Sequence, residues 1–327
     1  MTMRDEQAHE AASMYYLQGQ TMEAIAKHFS ISRSSVSRLL AYARETGLVT
    51  IRVAPAPGRH STLAGRISDM FGITTHVTPV SSIHTEVNRL HNVALVAAQR
   101  LVDLMKPGTT LGIAWGNTTT EVTLCLPHVP FPGSSVVQLN GAATATESGV
   151  LYADALISRA AAAFRARTIH FPVPAFFDYA STKEAMWRER AIRRVLDTIA
   201  SCDIALFGVG SLSAALPSHV YSGGFLAPGE IAKAQEDGVV GDVCTVLIRK
   251  DGSTDMELNS RASGPPTEIL RKIPHRVCVV AGASKALPLL GALRAGVVTD
   301  LVLDDGAARA LLDLAATKGS SARTMER

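Results

Sequence analysis

The chain has 327 residues, of which 47% are hydrophobic and 19% charged, which suits a globular protein of about two domains and excludes a wholly disordered chain. Its net charge of +3 is too small to indicate a nucleic-acid partner by itself. No run of about 18 uncharged apolar residues occurs and the first ten residues are polar. We therefore expect no membrane span, no secretory signal and a cytoplasmic protein.

Three short helices are predicted in the first fifty residues. The first covers residues 7–18, the second follows the N-cap Thr21, and the third runs from the N-cap Ser32 to about Gly47. Two short helices joined by a tight turn, after a leading helix, are typical of a helix-turn-helix. A short strand or wing is predicted at residues 48–53.

The third helix has an apolar face and, near its N-terminal end, a face of arginine and serine. In a DNA major groove, arginine binds guanine edges with two hydrogen bonds, and serine bonds to bases or phosphates. We therefore predict double-stranded DNA as a partner. The predicted contacts are Thr21, Arg33, Ser34, Ser35, Ser37, Arg38 and Tyr42. The alternative is an ordinary three-helix cap whose polar face is only solvated.

Residues 54–62, with two prolines and a glycine, predict a linker between a DNA-binding domain at 1–53 and an effector domain at 63–316. Residues 317–327 are predicted to be a frayed tail. In the effector domain, helical patterns alternate with apolar runs typical of strands, one of them at 243–249. This alternation predicts an α/β fold with a doubly wound, mainly parallel sheet covered by helices on both faces.

Four strand-to-helix turns are candidate ligand sites, because ligands of such sheets bind beyond the carboxyl ends of the strands. The turns lie at residues 114–119, 138–141, 208–211 and 281–285. Asp242 adds a carboxylate that could hold sugar hydroxyls. None of the turns has the spacing of a dinucleotide loop or a P-loop. Each has an alternative interpretation, in which glycine serves only the backbone geometry.

The sequence gives no pattern for catalysis or for metal binding. It has no H-E-x-x-H motif, no Cys/His metal spacing and no G-x-S-x-G elbow, so we predict no catalytic residue, metal or cofactor. The four cysteines lack C-x-x-C spacing and are expected to be free thiols. Asp304 and Asp305 follow a strand as paired carboxylates or as helix caps, and we favour capping.

Seven motifs occur in order along the chain: A-I-A-K-H-F-S-I-S-R-S-S-V-S-R-L-L, G-I-A-W-G-N-T, V-V-Q-L-N-G-A, F-G-V-G-S, G-V-V-G-D-V, N-S-R and V-A-G-A-S-K-A. Together they resemble SorC-type sugar-binding transcriptional regulators, near relatives of the deoxyribonucleoside regulator group, over about residues 8–316. The resemblance implies an N-terminal helix-turn-helix and an effector domain similar to sugar-phosphate isomerase and deaminase folds. It also implies dimers or tetramers on operator DNA.

The resemblance further implies that the effector is a sugar, a polyol or a sugar phosphate. The residues that match effector positions, together with those that the candidate turns add, are Gly116, Asn117, Thr118, Thr119, Gln138, Asn140, Gly141, Gly210, Asp242 and Lys285. One departure concerns the segment Ala281-Gly282-Ala283, where the family usually has two glycines before the lysine. A Cβ on Ala283 could narrow the room for a phosphate and leave an unphosphorylated sugar or polyol.

The sequence thus predicts a transcriptional regulator of a carbohydrate or polyol operon, controlled by a small effector. Two alternatives remain open at this point. One is a sugar-phosphate isomerase or deaminase that carries an added N-terminal module. The other is a binding protein whose N-terminal helices only mediate assembly.

Overall fold

The computed structural model describes residues 3–49, 59–80, 85–143, 148–212 and 218–316. The chain divides into two compact units, Met1–Ala56 and Pro57–Arg327. None of the helices in the described ranges is long and apolar enough to cross a membrane. Of the predicted linker, residues 54–58 lie outside the described residues and residues 59–62 begin a helix; the predicted tail at 317–327 also lies outside them.

The first unit is a trio of helices: α1 (Met3–Ala12), which continues as a π-helical segment at Ser13–Leu17, α2 (Met22–His28) and α3 (Arg33–Glu45). Thr21 caps α2, since its hydroxyl oxygen accepts from the Ala24 N–H at 3.2 Å. Ser32 caps α3 in the same way, through the Ser35 N–H at 3.1 Å. Of the strand predicted at 48–53, Leu48 and Val49 form no strand and the rest lies outside the described residues.

Small and β-branched side chains close the core of this trio. Ala8 and Ala11 of α1, Ile25 of α2, and Val36 and Ala43 of α3 are fully buried. Alanine lets helix backbones approach closely, and burial of each larger side chain contributes about 1.5–3 kcal/mol. The apolar face predicted for the third helix is therefore the face that packs on its neighbours.

The second unit is an α/β domain. Its helices are α4 (Arg59–Phe71), α5 (Glu86–Leu104), α6 (Asn117–Leu124), α7 (Ser148–Phe164), α8 (Ala180–Arg188), α9 (Arg190–Ala200), α10 (His219–Ser222), α11 (Pro228–Glu236), α12 (Thr267–Leu270), α13 (Ala286–Arg294) and α14 (Asp305–Ala316). Its strands are β1 (Thr74–Thr78), β2 (Thr110–Ile113), β3 (Ser135–Gln138), β4 (Arg167–Ile169), β5 (Ile204–Phe207), β6 (Gly210–Ser211), β7 (Val239–Val243), β8 (Val246–Arg249), β9 (His275–Val280) and β10 (Asp300–Asp304).

Seven strands form one parallel sheet in the order β1-β10-β9-β5-β2-β3-β4. One face carries α4, α9, α13 and α14, and the other carries α5, α6 and α7, each over its own apolar cluster. The central strands are buried on both faces, as their continuous apolar runs predicted. The doubly wound, mainly parallel α/β fold is confirmed.

The remaining strands, β6, β7 and β8, form a small antiparallel sheet. The single strand predicted at 243–249 is wrong, because a tight turn at Cys244 and Thr245 interrupts it. Both turn residues have positive φ, 51° and 68°. This is the backbone of a hairpin turn that usually contains Asn-Gly or Asp-Gly, so the Cys-Thr pair gave no turn signal.

The chain connections that follow β2 and β5 lead to opposite sides of the large sheet. The chain leaves β2 for β3 on one side and leaves β5 for β9 on the other, although β2 and β5 are hydrogen-bonded neighbours. The loops after two such strands separate and leave a crevice at the carboxyl edge of the sheet. The topology alone thus places a binding site after Ile113 and after Phe207.

Candidate functional site

The polar face predicted for DNA contact is exposed on α3. Arg33, Ser34, Ser37 and Arg38 are all exposed, and Ser35 is partly buried. All five side chains lie in the first two turns of the helix, at the end that enters a major groove in a helix-turn-helix. The two arginines are therefore exposed, as contact with base edges in a major groove requires.

A hydrogen-bonded group of serines orients this face. The Ser32 hydroxyl lies 2.8 Å from that of Ser34 and 2.9 Å from that of Ser35. Arg38 donates from Nη2 to the Ser35 hydroxyl at 3.2 Å. Ser35 thereby holds the guanidinium along the helix surface and leaves its other N–H groups available.

Two predicted DNA contacts have structural partners instead. The Thr21 hydroxyl is the acceptor that caps α2. The Tyr42 hydroxyl donates to a carboxylate oxygen of Asp5 at 2.8 Å, and the Arg4 guanidinium lies 4.4 Å from the centre of its ring. A DNA phosphate at Tyr42 would lie beside that carboxylate, so the geometry disfavours the DNA contact predicted at this residue.

A cavity of about 410 Å³ lies in the crevice between β2 and β5, a volume typical of small-molecule sites. Its walls come from the turns after β2, β3, β5 and β9, the start of α5 and the small sheet. The predicted effector residues that line it are Gly116, Asn117, Thr118, Thr119, Asn140, Gly210, Asp242 and Lys285. Lining residues that the sequence interpretation missed include Glu86, Arg89 and Ser218, and Ser284 lines the cavity from within the candidate turn at 281–285.

Gln138 and Gly141 do not line this cavity; they hold the turn after β3. The Gln138 side chain donates to the Asn140 carbonyl at 2.8 Å and accepts from the Phe171 N–H at 3.3 Å. Gly141 donates its N–H to the Ser263 hydroxyl at 2.9 Å. A Cβ on Gly141 would lie 2.3 Å from the Val173 carbonyl oxygen, so glycine is required by a close backbone approach. These contacts indicate that Gln138 and Gly141 shape the turn after β3, and they give no support to the ligand-binding role predicted for the two residues.

One tryptophan fixes the cavity wall after β2. The Trp115 indole N–H donates to the Gly141 carbonyl at 2.8 Å, and its ring stacks on Phe225 with centres 4.8 Å apart. Buried indole N–H groups need such a partner. The turn after β2 is thereby tied to the turn after β3.

Two cations face the cavity. Lys285 donates from Nζ to the Thr118 hydroxyl at 3.3 Å; burial lowers the pKa of this ammonium, and the nearby Asp242 carboxylate opposes that shift. Arg89 donates to a carboxylate oxygen of Asp304 at 2.8 Å. Asp304 is fully buried, so its charge requires this arginine, and the pair anchors the start of α5.

The contacts of Asp304 also distinguish between the two roles considered for it in the sequence, paired carboxylate and helix cap. Its Oδ1 accepts from the N–H groups of Gly306 and Ala307 at 2.9 and 3.1 Å, which caps α14. Its Oδ2 accepts from the Gly282 N–H at 2.5 Å and so shapes the turn before Lys285. Capping, the favoured interpretation, is confirmed.

Two buried acceptors point to a polar ligand. Asn140 and Asp242 are 1% and 4% exposed. Oδ1 of each side chain has no hydrogen-bond partner within the described ranges. A buried polar atom without a partner costs about 1–3 kcal/mol, which a ligand hydroxyl would recover. Burial raises the pKa of Asp242 to about 6. The nearby Tyr221 hydroxyl, the Thr245 N–H and the Lys285 ammonium favour the charged carboxylate and lower this pKa, but burial has the larger effect.

Asp242 is held in place by a close approach and a strained turn. A Cβ on Gly210 would lie only 1.7 Å from Asp242 Oδ1. Asp242 Oδ2 accepts from the Thr245 N–H at 3.1 Å, within the turn whose φ angles are positive at Cys244 and Thr245. Non-glycine residues in that region store strain of about 1–3 kcal/mol each, and such strain is concentrated at binding sites.

The departure noted at Ala283 has no effect on this cavity. Ala283 is exposed, and it is not among the lining residues. The expectation that its methyl group narrows the room for a phosphate is therefore wrong, because the segment turns this side chain outward.

Comparisons with known proteins agree with this geometry. The family model described as "Putative sugar-binding domain" matches residues 57–313. The deoxyribonucleoside regulator of Bacillus subtilis (strain 168) is 28% identical over 305 residues, 93% of this chain and 96% of that protein.

Two solved structures are similar. The crystal structure of a domain of a "possible sugar-binding transcriptional regulator" from Arthrobacter aurescens TC1 is 43% identical, has a TM-score of 0.74, and matches 79% of this chain and 100% of that chain. The full-length sorbitol operon regulator SorC from Klebsiella pneumoniae has the same fold, with a TM-score of 0.75 at 23% identity over 94% of this chain and 98% of that chain. These relatives are regulators, which supports the regulator over the enzyme alternative. The chain belongs to the sugar-binding domain family of SorC-type transcriptional regulators.

Proposed function

We propose that the chain is a DNA-binding regulator of a carbohydrate or polyol operon and that its effector binds in the cavity between β2 and β5. The observation that carries this proposal is the cavity's lining. It combines two cations, Lys285 and Arg89, with two buried acceptors, Asn140 and Asp242, that have no partner for Oδ1 in the described part of the chain.

The lining suits a sugar or polyol with a phosphate group. Hydroxyls donate hydrogen bonds, which the Asn140 and Asp242 oxygens accept. Lys285 supplies positive charge, Arg89 adds N–H donors while its charge offsets that of Asp304, and the N–H groups at the start of α6 add the positive end of a helix dipole. Ala283 leaves the room in the cavity unchanged. The carboxylates of Glu86 and Asp242 also line the cavity, so the phosphate would lie where Lys285 and the start of α6 supply the positive charge, and we favour the phosphorylated effector.

The exposed face of α3 supports the DNA-binding half of the proposal. Arg33 and Arg38 lie where a recognition helix meets base edges, and Ser34 and Ser37 lie beside them. A palindromic operator requires two such helices about one helical turn apart, so we propose that dimers or tetramers bind the DNA.

In this mechanism the effector binds one state of the regulator better than the other. It then shifts the population of assemblies that can bind the operator. A complete switch requires a difference in effector binding between the two states of about 5.5 kcal/mol.

Tryptophan fluorescence tests the effector site directly. The chain has two tryptophans, so Trp187→Phe leaves only Trp115, which lines the cavity. Sugars, polyols and their phosphates are titrated into this variant and also screened by thermal shift. We expect a selective ligand to change Trp115 emission and raise the melting temperature. If none of these compounds changes either signal, the effector site is refuted.

The variant Lys285→Ala then distinguishes the two effector classes. Loss of the cation should abolish the response to a phosphorylated compound, since no other lining group replaces its charge next to Thr118. A neutral sugar or polyol should still bind with little loss. Retained binding of a phosphate compound by this variant would contradict the anion role of Lys285.

DNA binding is tested by gel retardation with the region upstream of the chain's own gene. Affinity should fall steeply as salt rises, because phosphate contacts release counterions. Arg38→Ala should weaken specific binding by about 1–3 kcal/mol. Arg44→Ala, also exposed but in the last turn of α3, is the matched control and should bind nearly as the wild type. No retardation at low salt would refute the proposal.

A further inference from the structure

Outside the effector cavity, three potential metal ligands converge where α5 packs on α6. His91 comes from α5, Glu121 comes from α6, and Cys125 is the residue that caps the C-terminal end of α6. His91 Nδ1 lies 2.8 Å from Glu121 Oε1 and 3.8 Å from Cys125 Sγ. The three ligand atoms all lie within 4.8 Å of one another. Residues 121 and 125 are four apart and therefore share one face of the helix.

These distances are close to those of a tetrahedral metal site. Zinc binds imidazole nitrogen and carboxylate oxygen at about 2.0–2.2 Å and thiolate sulfur at about 2.3 Å, which places neighbouring ligand atoms roughly 3.3–3.6 Å apart. The His91–Glu121 separation is shorter and the His91–Cys125 separation slightly longer, so small side-chain rotations are sufficient. All three side chains are at least partly accessible, which gives an ion a path to them.

We propose that His91, Glu121 and Cys125 bind a divalent ion of the zinc class, with water as the fourth ligand. The sulfur and the imidazole select a transition metal over magnesium or calcium, which prefer oxygen ligands. On binding, the Cys125 thiol gives up its proton to solvent and a metal–sulfur bond forms. No oxidant or other reactant takes part.

The ion would join two helices that both begin at the effector cavity. Leu90, directly before His91, lines the cavity, and so does Thr119, two residues before Glu121. A bound ion fixes the spacing of α5 and α6 immediately behind that lining. This part of the inference concerns the regulation of the proposed effector site, whereas metal binding itself does not depend on that function.

The simpler alternative is a surface histidine that hydrogen-bonds to a carboxylate. The chain contains such a pair for comparison: His170 Nδ1 lies 3.5 Å from Asp154 Oδ1, and its side chain is 43% exposed against 51% for His91. In the described residues, the only three-ligand group is the one with Cys125. His170→Ala is thus a control that removes an equally exposed histidine beside a carboxylate.

Cobalt(II) titration of the reduced, metal-free full-length protein tests the site. We expect one ion per chain and a thiolate-to-cobalt charge-transfer band that zinc abolishes by displacement. Cys125→Ser should lose the band, and His91→Ala should bind at least about tenfold more weakly. Cys202→Ser and His170→Ala should behave as the wild type. Cobalt binding without the band, or an unaltered titration of Cys125→Ser, would overturn the proposal.

Hydrogen exchange tests whether the ion joins the two helices. Zinc should slow amide exchange in both α5 and α6 of the wild type but not of Cys125→Ser. Slower exchange in α6 alone would show that Glu121 and Cys125 bind the ion without His91, and would overturn the bridge. Because this readout needs neither effector nor DNA, its failure is distinguishable from failure of the proposed regulator function.

Discussion

At the scale of single residues, the proposed effector cavity depends on the absence of a Cβ at Gly210 as much as on the side chains that line it. Gly210 lies against Asp242 Oδ1 so closely that no Cβ fits, and this contact fixes where the carboxylate lies in the cavity. The glycine at position 210 therefore does serve the proposed site, as the sequence indicated. It is required because the Asp242 side chain, which we expect to contact the ligand, packs against it, and not because the ligand itself approaches the backbone there.

Gly210→Ala should displace the Asp242 side chain and destabilise the second unit by about 1–3 kcal/mol, the usual cost of overpacking. Gly208→Ala is the matched control, since its Cβ would make an ordinary contact 3.4 Å from the Val279 carbonyl oxygen. Urea unfolding measures both changes. Equal stability of the two variants would contradict the close approach at Gly210.

Asp242 also makes stability depend on pH. Burial raises its folded-state pKa from 3.8 to about 6, so the folded protein holds this proton more tightly than the unfolded chain does. The contribution of this group to the free energy of unfolding is thus greatest below about pH 4 and declines as the pH rises to about 6, by up to about 3 kcal/mol. Asp242→Asn should remove this decline.

The comparison requires urea unfolding of wild type and variant without effector at pH 4, 5, 6 and 7. We expect the difference in stability between them to change in favour of the variant across this range. A constant difference would show that Asp242 titrates in the folded protein as it does in the unfolded chain.

At the scale of elements, the turn between α2 and α3 is built with an unfavourable residue. Ser30 has a φ of 55°, a region that L-residues other than glycine occupy at a cost of about 1 kcal/mol. The turn persists because the caps at Thr21 and Ser32 and the buried Ile25 fix both helices. The face of α3 depends on the angle that this turn sets.

Ser30→Gly should therefore stabilise the helical trio by up to about 1 kcal/mol. Ser37→Gly, at an exposed position inside α3, is the matched control and should destabilise it, because glycine disfavours the helix interior. Hydrogen exchange of α2 and α3 amides measures both changes within this unit alone. Destabilisation by both substitutions would contradict the strain assigned to Ser30.

The sequence predicted those structural features that depend only on residues close together in the chain. The caps Thr21 and Ser32 and the strand-end turns follow from nearest-neighbour rules, and so they were found. The turn at Cys244 and Thr245 was missed, because long-range packing imposes positive φ on residues that do not favour it. Arg89 was missed as well, although a cation near the start of a helix opposes the dipole and could have been noticed.

Side chains that meet only through the tertiary fold gave no signal at all. His91 is thirty residues from Glu121, so no spacing rule for metal ligands detects the cluster with Cys125. Gln138 and Asn140 looked equivalent in sequence, because both are polar and both lie at a strand end. The Phe171 N–H, in the segment that follows β4, donates to the Gln138 side chain, so Gln138 bonds to the backbone while Asn140 faces the cavity.

At the scale of the whole molecule, the topology of the parallel sheet determines which residues line the proposed effector site. A parallel sheet directs every strand-to-helix turn to one edge, and the divergence of the connections at β2 and β5 opens that edge. Residues as distant as Arg89 and Lys285 therefore meet around one cavity. The sequence could predict this convergence, because it follows from the alternation of strands and helices and not from any single contact.

If effector and operator DNA act on a shared equilibrium, their effects on each other must be equal. An effector that changes operator affinity by a given factor should find its own affinity changed by the same factor when the DNA is bound. This equality holds whether the protein activates or represses transcription.

The Trp187→Phe variant measures both factors. Titration of Trp115 emission with and without saturating operator gives the change in effector affinity, and gel retardation with and without effector gives the change in operator affinity. An unrelated DNA fragment is the control. Unequal factors would mean that the effector acts through assembly of the chain, and not through the two DNA-binding states proposed here.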